Sequence, residues 1–189
     1  MLCLHYILAI REECIGKSYA VTQEVEMSTM DDLKEAFAGE SQANRKYLAF
    51  AKKADDEGYA QVAKLFRAAA DAETVHAHAH LRVMGGIGST EDNLKEAIGG
   101  ETEEFKSMYP GMIERAKAEG NDAAAMSFAN ANAVEEIHAG LYGKALDNLG
   151  SNEETDIYVC QVCGNTVEGE APEKCPICGA PKKMFKKID

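Results

Sequence analysis

Asp71-Ala72-Glu73-Thr74-Val75-His76 is answered about sixty residues later by Glu135-Glu136-Ile137-His138, and the reading of this pair decides the fold. Residues three apart are neighbours on one helix face, so each Glu-x-x-His turn can aim a carboxylate and an imidazole at one point. The flanking sequence is helical in kind. Ser28 or Thr29 caps a first helix that starts at about Met30 and ends at Gly58. A second runs from about Tyr59 to Met84 and stops at Gly85-Gly86. Ser89 or Thr90 caps a third that ends near Gly120, and Asn121 or Asp122 caps a fourth that reaches Leu149. Pro110 falls inside the third helix and predicts a kink or a local bulge. The stretch from Gly85 to Ser89 is short, so a long crossover would have to use the frayed ends of the flanking helices.

Steps of three and four residues trace the inward stripe of each helix. The first reads Leu33, Phe37, Glu40, Asn44, Tyr47, Ala51, and the second Val62, Phe66, Ala69, Glu73, His76, His80, Val83. The third reads Leu94, Ile98, Glu101, Phe105, Met108, Met112, with Glu104 one turn from Glu101. The fourth reads Ala124, Phe128, Ala131, Glu135, His138, Tyr142, Ala145, Leu149. Every stripe is apolar or small at its ends and acidic in its middle. An ionised carboxylate inside a bundle costs several kcal/mol unless it is paired or holds a metal. A carboxylate on all four seams therefore predicts a shared metal pair. Two Glu-x-x-His helices plus one Glu from each of the others is the donor pattern of carboxylate-bridged di-iron bundles. Carboxylate with imidazole suits iron or manganese better than calcium or a thiolate metal. Layered Glu–His salt bridges without metal are the competing explanation. His78 lies off the seam and reads as a surface residue. His80 shares the His76 face and reads as a neighbour of the ligands. Tyr47 and Tyr109 are core aromatics near enough to bond a ligand carboxylate.

The rest of the chain carries a second metal pattern. Cys160-Gln-Val-Cys163-Gly164 is matched by Cys175-Pro-Ile-Cys178-Gly179, two turns tight enough for four thiolates to share one ion. Such a tetrahedral set means a single iron or zinc, and spacing does not choose between them. Ser151 to Asp156 reads as a short polar tether. Cysteines arranged for metal rather than disulfides predict a reducing cytoplasm. Cys3 and Cys14 have no evident partner. They sit in residues 1–27, an apolar but short opening that lacks a basic start and meets Arg11-Glu12-Glu13 where a cleavage site would need small residues. It reads as an extension outside the fold.

Composition narrows the function classes. The 189 residues are 46% hydrophobic, with a net charge of −12, no tryptophan and four prolines, three of them beyond residue 170. That charge argues against nucleic acid or an anionic membrane as partner. No run approaches the ~20 apolar residues that span a bilayer.

These motifs together resemble a rubrerythrin over about residues 28–189. The resemblance rests on Phe37-Ala-Gly-Glu40-Ser-Gln, Asp71-Ala-Glu73-Thr-Val-His76, Gly100-Glu101-Thr-Glu-Glu104, Met108-Tyr109-Pro110, Glu135-Glu-Ile-His138 and the paired cysteine turns. It implies a mainly α protein: a ferritin-like four-helix di-iron bundle over residues 28–150 and a small rubredoxin-like iron knuckle over 151–189. By the resemblance, Glu40, Glu73, His76, Glu101, Glu104, Glu135 and His138 hold two iron ions, and Cys160, Cys163, Cys175 and Cys178 hold one iron, zinc being the other candidate. Glu104, Tyr47 and Tyr109 fall on the active-site positions, and Glu104 and His76 on the ligands that exchange at one iron on reduction. The implied activity is cytoplasmic reduction of hydrogen peroxide to water, in defence against oxidative stress. Electrons would enter through the cysteine site from a protein such as a rubredoxin or its reductase. A homodimer or higher homo-oligomer is implied, with one subunit's knuckle near its partner's iron pair. Iron oxidation and storage is the first rival, and electron transfer with a structural di-metal site the second. The chain departs from the family at residues 1–27, at the added imidazole of His80, and in the short segment between Cys163 and Cys175.

Overall fold

The computed structural model describes residues 27–189; the extension expected over residues 1–27, with Cys3 and Cys14, lies outside the described residues except for Met27. The chain divides after Gly86 into two compact units.

The first unit is a helical hairpin of α1 (Thr29–Asp56) and α2 (Ala60–Val83). Its start is a capping box: the Ser28 hydroxyl accepts from the Asp31 N–H, and the Asp31 carboxylate accepts from the Ser28 N–H. Gly58, at φ +84°, supplies the left-handed residue of the turn between the helices. The seam between α1 and α2 is made of alanine: Ala51, Ala54, Ala63, Ala70 and Ala77 are its buried residues. Small side chains let the two backbones approach closely. Asn44 pins them, its amide donating to the Ala70 carbonyl at 2.6 Å and to the Thr74 hydroxyl at 2.8 Å. Tyr47 and Phe50 of α1 also meet Phe66 of α2, but the larger aliphatic side chains of α2 do not join the seam. Val62, Leu65, Val75 and Val83 are exposed, Leu65 to 67% and Val83 to 70%.

The second unit starts with α3 (Thr90–Glu103), again behind a capping box, Ser89 with Asp92. A π-helical turn, Glu104–Met108, follows and leads into α4 (Tyr109–Ala118). The bulge expected at Pro110 is thus present just before it. Proline has no N–H to return to the preceding turn, and the Tyr109 N–H reaches back five residues to the Glu104 carbonyl. The helix α5 (Asp122–Asp147) is capped by Asn121, whose side chain accepts from Ala124 N–H. Val134 of α5 is the largest fully buried apolar side chain of the described residues.

The knuckle is a three-stranded antiparallel sheet in the order β2-β1-β3, made of β1 (Ile157–Cys160), β2 (Thr166–Glu168) and β3 (Phe185–Ile188). The polar stretch 151–156 predicted a loose tether, but the knuckle is docked on α5. Lys144 of α5 pairs with Glu168 of β2, and Val134 lies against Gly164. A tertiary contact of this kind leaves no local trace in the linker's composition.

The capping boxes give a direct check. Ser89→Ala removes the acceptor for the Asp92 N–H and should lower stability by about 1 kcal/mol in urea unfolding, while Ser89→Asp should stay close to the parent.

Candidate metal centres

In the first unit, Glu40 of α1 converges with Glu73 and His76 of α2. His76 Nδ1 stands 3.0 Å from Glu73 Oε2 and 3.8 Å from Glu40 Oε1. Glu40 is held above the ordinary carboxylate range, first by a proton shared with Glu73, then by burial and by the charge of Glu73. In the second unit, Glu101 of α3 converges with Glu135 and His138 of α5. His138 Nδ1 stands 2.8 Å from Glu135 Oε2 and 3.7 Å from Glu101 Oε1. Glu101 is pushed up by burial and then by Glu135. The donor atoms of each triad lie within 4.8 Å of one another. The two units therefore carry near-identical triads, each a pair of carboxylates facing one ring nitrogen.

Glu104, at the start of the π turn, joins the second cluster from the side. Its carboxyl is raised by burial and by the charge of Glu135. The Tyr109 ring packs on Phe128 with centroids 6.3 Å apart, and its hydroxyl pKa is raised by burial, then by Glu104, Glu135 and Glu101. Tyr47 packs on Phe50 and Phe66 in the first unit. His80 lies close enough to Glu40 to favour its ionised form, yet stands outside the triad, and His78 is exposed.

A residue not singled out in the sequence adjoins the second triad. His138 Nε2 lies 2.9 Å from Thr166 Oγ1 of the knuckle, and that hydroxyl lies 3.1 Å from the Gly164 carbonyl. A hydroxyl has one proton. Given to Gly164, it leaves Thr166 as acceptor, so His138 donates through Nε2–H and Nδ1 is the nitrogen that faces the carboxylates. Nδ1 stands 2.8 Å from a carboxylate oxygen, a contact that a proton satisfies and that a metal ion shared by the two could replace. A ligand histidine oriented by a hydrogen bond on its far nitrogen is the usual arrangement around a metal. Thr166 is 28 residues from His138 and in no metal motif, so only the fold could reveal it.

In the knuckle, Gly164 and Gly179, at φ +85° and +76°, close two equivalent turns: Gly164 N–H donates to Cys160 O and Gly179 N–H to Cys175 O, both at 2.9 Å. The sulfurs of Cys160 and Cys178 are 3.7 Å apart, and those of Cys163 and Cys175 3.6 Å. A tetrahedron with metal–sulfur bonds of about 2.3 Å has edges of about 3.8 Å, so the four sulfurs fit one ion. Cys163 is pushed up to about 12, chiefly by burial. For Cys175 burial also raises the pKa, but N–H groups of Cys178 and Ile177 outweigh it and bring the thiol down to about 7.

Two family models match the chain: rubrerythrin over residues 31–146 and the rubrerythrin rubredoxin-like domain over residues 158–186. The chain belongs to the rubrerythrin family. Among its relatives, nigerythrin of Nitratidesulfovibrio vulgaris is 37% identical, over 84% of this chain and 85% of its own. Rubrerythrin-2 of Clostridium acetobutylicum is 38% identical, over 83% and 95%. Solved structures of nigerythrin in its mixed-valent and its fully reduced, all-ferrous states match with TM-scores of 0.52 and 0.53. They are 35% and 34% identical, over 88% of this chain and 91% of theirs. The fold is accordingly the ferritin-like rubrerythrin fold with a rubredoxin-like domain, and the chain carries the donor groups of the family's di-iron and four-cysteine centres. Rubrerythrins are oxidoreductases as a family. Among the described residues no helix is long and apolar enough to cross a membrane.

Metal uptake at the cysteine site must displace the proton that Cys163 keeps at neutral pH. Affinity should therefore fall as pH falls, by about tenfold per unit for each proton released. Chelator competition between pH 8 and pH 6 measures this; an unchanged affinity would contradict the protonated apo-site.

Proposed function

We propose that this rubrerythrin is a non-haem di-iron peroxidase that reduces hydrogen peroxide to two waters, taking up two protons and two electrons, with the electrons delivered through the cysteine site. The observation that carries the reading is the bond from His138 to Thr166, which ties a ligand of the carboxylate cluster to the turn that holds Cys163. Two ferrous ions, when bound, supply the two electrons of O–O cleavage, and a thiolate iron supplies them singly for refilling. The mixed-valent and all-ferrous states solved for nigerythrin, together with its likeness to this chain, support that redox role.

Glu40, Glu73 and His76 would hold one ion, and Glu101, Glu135 and His138 the other, with Glu104 beside the second. Glu104 has the character of a proton store. Burial and Glu135 keep its carboxyl protonated to higher pH than an exposed glutamate, so it can give a proton to the departing oxygen and recover it from solvent. Tyr109, raised in pKa and set among Glu101, Glu104 and Glu135, stays a neutral hydroxyl that can donate a hydrogen bond to peroxide. Thr166 orients His138 and holds its Nε2 proton. The knuckle belongs to the same unit as His138, so the electron path we propose runs within one chain rather than from a partner's knuckle. Peroxide as substrate, a rubredoxin or its reductase as donor, and a homodimer complete the reading. The separate di-iron region to residue 150 and the knuckle from 151 remain part of it.

Stopped-flow mixing of the reduced protein with peroxide tests the proposal: reoxidation no faster than that of free ferrous ion would reject it. Glu104→Ala should slow peroxide turnover on the order of a hundredfold while the visible absorption of the thiolate iron persists. Equal loss of both would contradict the division of labour between the sites. Thr166→Val should slow peroxide-driven oxidation of the thiolate iron, and Thr166→Ser should restore it. Equal rates in all three would remove Thr166 from the path.

A further inference from the structure

The two metal-binding turns of the knuckle repeat one another position for position. Cys160-Gln-Val-Cys163-Gly164-Asn165 is matched by Cys175-Pro-Ile-Cys178-Gly179-Ala180. The last residue of each does the same backbone work. Asn165 O accepts the Cys160 N–H at 2.9 Å, and Ala180 O accepts the Cys175 N–H at 2.7 Å. The Asn165 N–H bonds the Cys163 sulfur, as the Ala180 N–H bonds the Cys178 sulfur. Both residues are buried. Alanine therefore meets every demand that the turn makes of this position. The side chain of Asn165 is an addition that the turn does not need.

That addition destabilises the fold at one end. Asn165 Oδ1 is buried and has no hydrogen-bond partner among the described residues, and a buried carbonyl left unpaired costs free energy. The other end of the amide is engaged: Nδ2 donates to Cys175 Sγ at 3.7 Å. The same sulfur also accepts the N–H groups of Ile177 and Cys178. A thiolate bound to a metal carries no proton and can only accept, so with the site filled only the NH2 end of the amide can face it. Reduction of a thiolate-bound iron adds one negative charge to a site of four thiolates, and the sulfurs share that charge. An N–H aimed at a sulfur favours the more negative form, which is why hydrogen bonds to sulfur help to set the potentials of such sites.

We propose that Asn165 raises the reduction potential of the cysteine site through the side-chain N–H that it donates to Cys175 Sγ. It touches the sulfur and not the iron, so it acts through Cys175. The two turns are alike in backbone and unlike in this one donor, which makes Cys175 the sulfur on which added charge is best held. The proposal rests on the reading of the cysteine site as an electron carrier and is independent of the substrate.

Two measurements on the full chain test it. In the first, a magnetic isotope of cadmium replaces iron in the cysteine site. The expected result is a scalar coupling between the metal nucleus and the side-chain amide protons of Asn165, carried across the Nδ2–H···Sγ bond. A spectrum that couples cadmium to the backbone N–H groups of Ile177 and Cys178 but not to Asn165 would overturn the proposal. In the second, the iron-loaded protein is titrated by potential. Asn165→Ala gives the first turn the residue of the second, and Asn165→Leu keeps the volume without the amide. Both should make the thiolate iron harder to reduce, by about tenfold in the equilibrium constant, which is about 59 mV for one electron. Potentials equal to the parent's in both variants would reduce Asn165 to a packing residue and sink the idea. Should a variant fail to fold, the coupling in the parent decides. Loss of peroxide turnover with the coupling and the shifted potential intact would retire the proposed substrate and leave the role of Asn165 standing.

Discussion

Negative charge crowded on helix seams is the constraint from which the rest of this molecule follows. Glu40 with Glu73, and Glu101 with Glu135, are placed where each raises the other's cost of ionisation. A seam of leucines would have been more stable without metal. The carboxylates persist because cations neutralise them, and the histidines at 3.0 and 2.8 Å from their glutamates mark where those cations go. The π turn before Pro110 belongs to the same demand. It shifts the helix register by a residue and lets Glu104 approach the cluster that Glu101 already joins.

The acidic centre has a counterpart in the alanine seam. Small residues at 51, 54, 63, 70 and 77 bring α1 and α2 close enough for Glu40 to reach Glu73 and His76, with Asn44 holding the register. Alanine buries little apolar area, so a hairpin built on it is weakly stabilised by its own contacts. The face that carries Val62, Leu65 and Val83 adds little to it, since those side chains are exposed. The small residues that bring the three donors together thus leave the hairpin with little apolar burial of its own.

The knuckle solves a different problem. Thiolates need N–H groups around them, and two glycine-closed turns supply these with little chain. Docking on α5 through Val134, Lys144 and Thr166 then fixes the cysteine site against one particular ligand histidine. The same hydroxyl that ends a turn of the knuckle bonds the Nε2 of His138, so the two candidate metal sites share a structural element.

Much of this was legible in the chain itself. Helix ends could be placed from Ser28, Ser89, Asn121 and the glycines because capping is local chemistry, and donor identities could be read because periodicity alone puts Glu73 beside His76 and Glu135 beside His138. The Pro110 bulge was readable for the same reason, since the missing N–H belongs to one residue. Thr166 was not, because its value comes from an α5 side chain 28 residues away. The docking of the knuckle was hidden by an ordinary polar linker. Exposure of Val62 and Val83, residues with the periodicity of a core, was equally beyond reach, since a seam states which face seeks burial and not which element provides it. Local hydrogen bonding and helical spacing are properties of sequence; pairing between distant segments is a property of the folded chain.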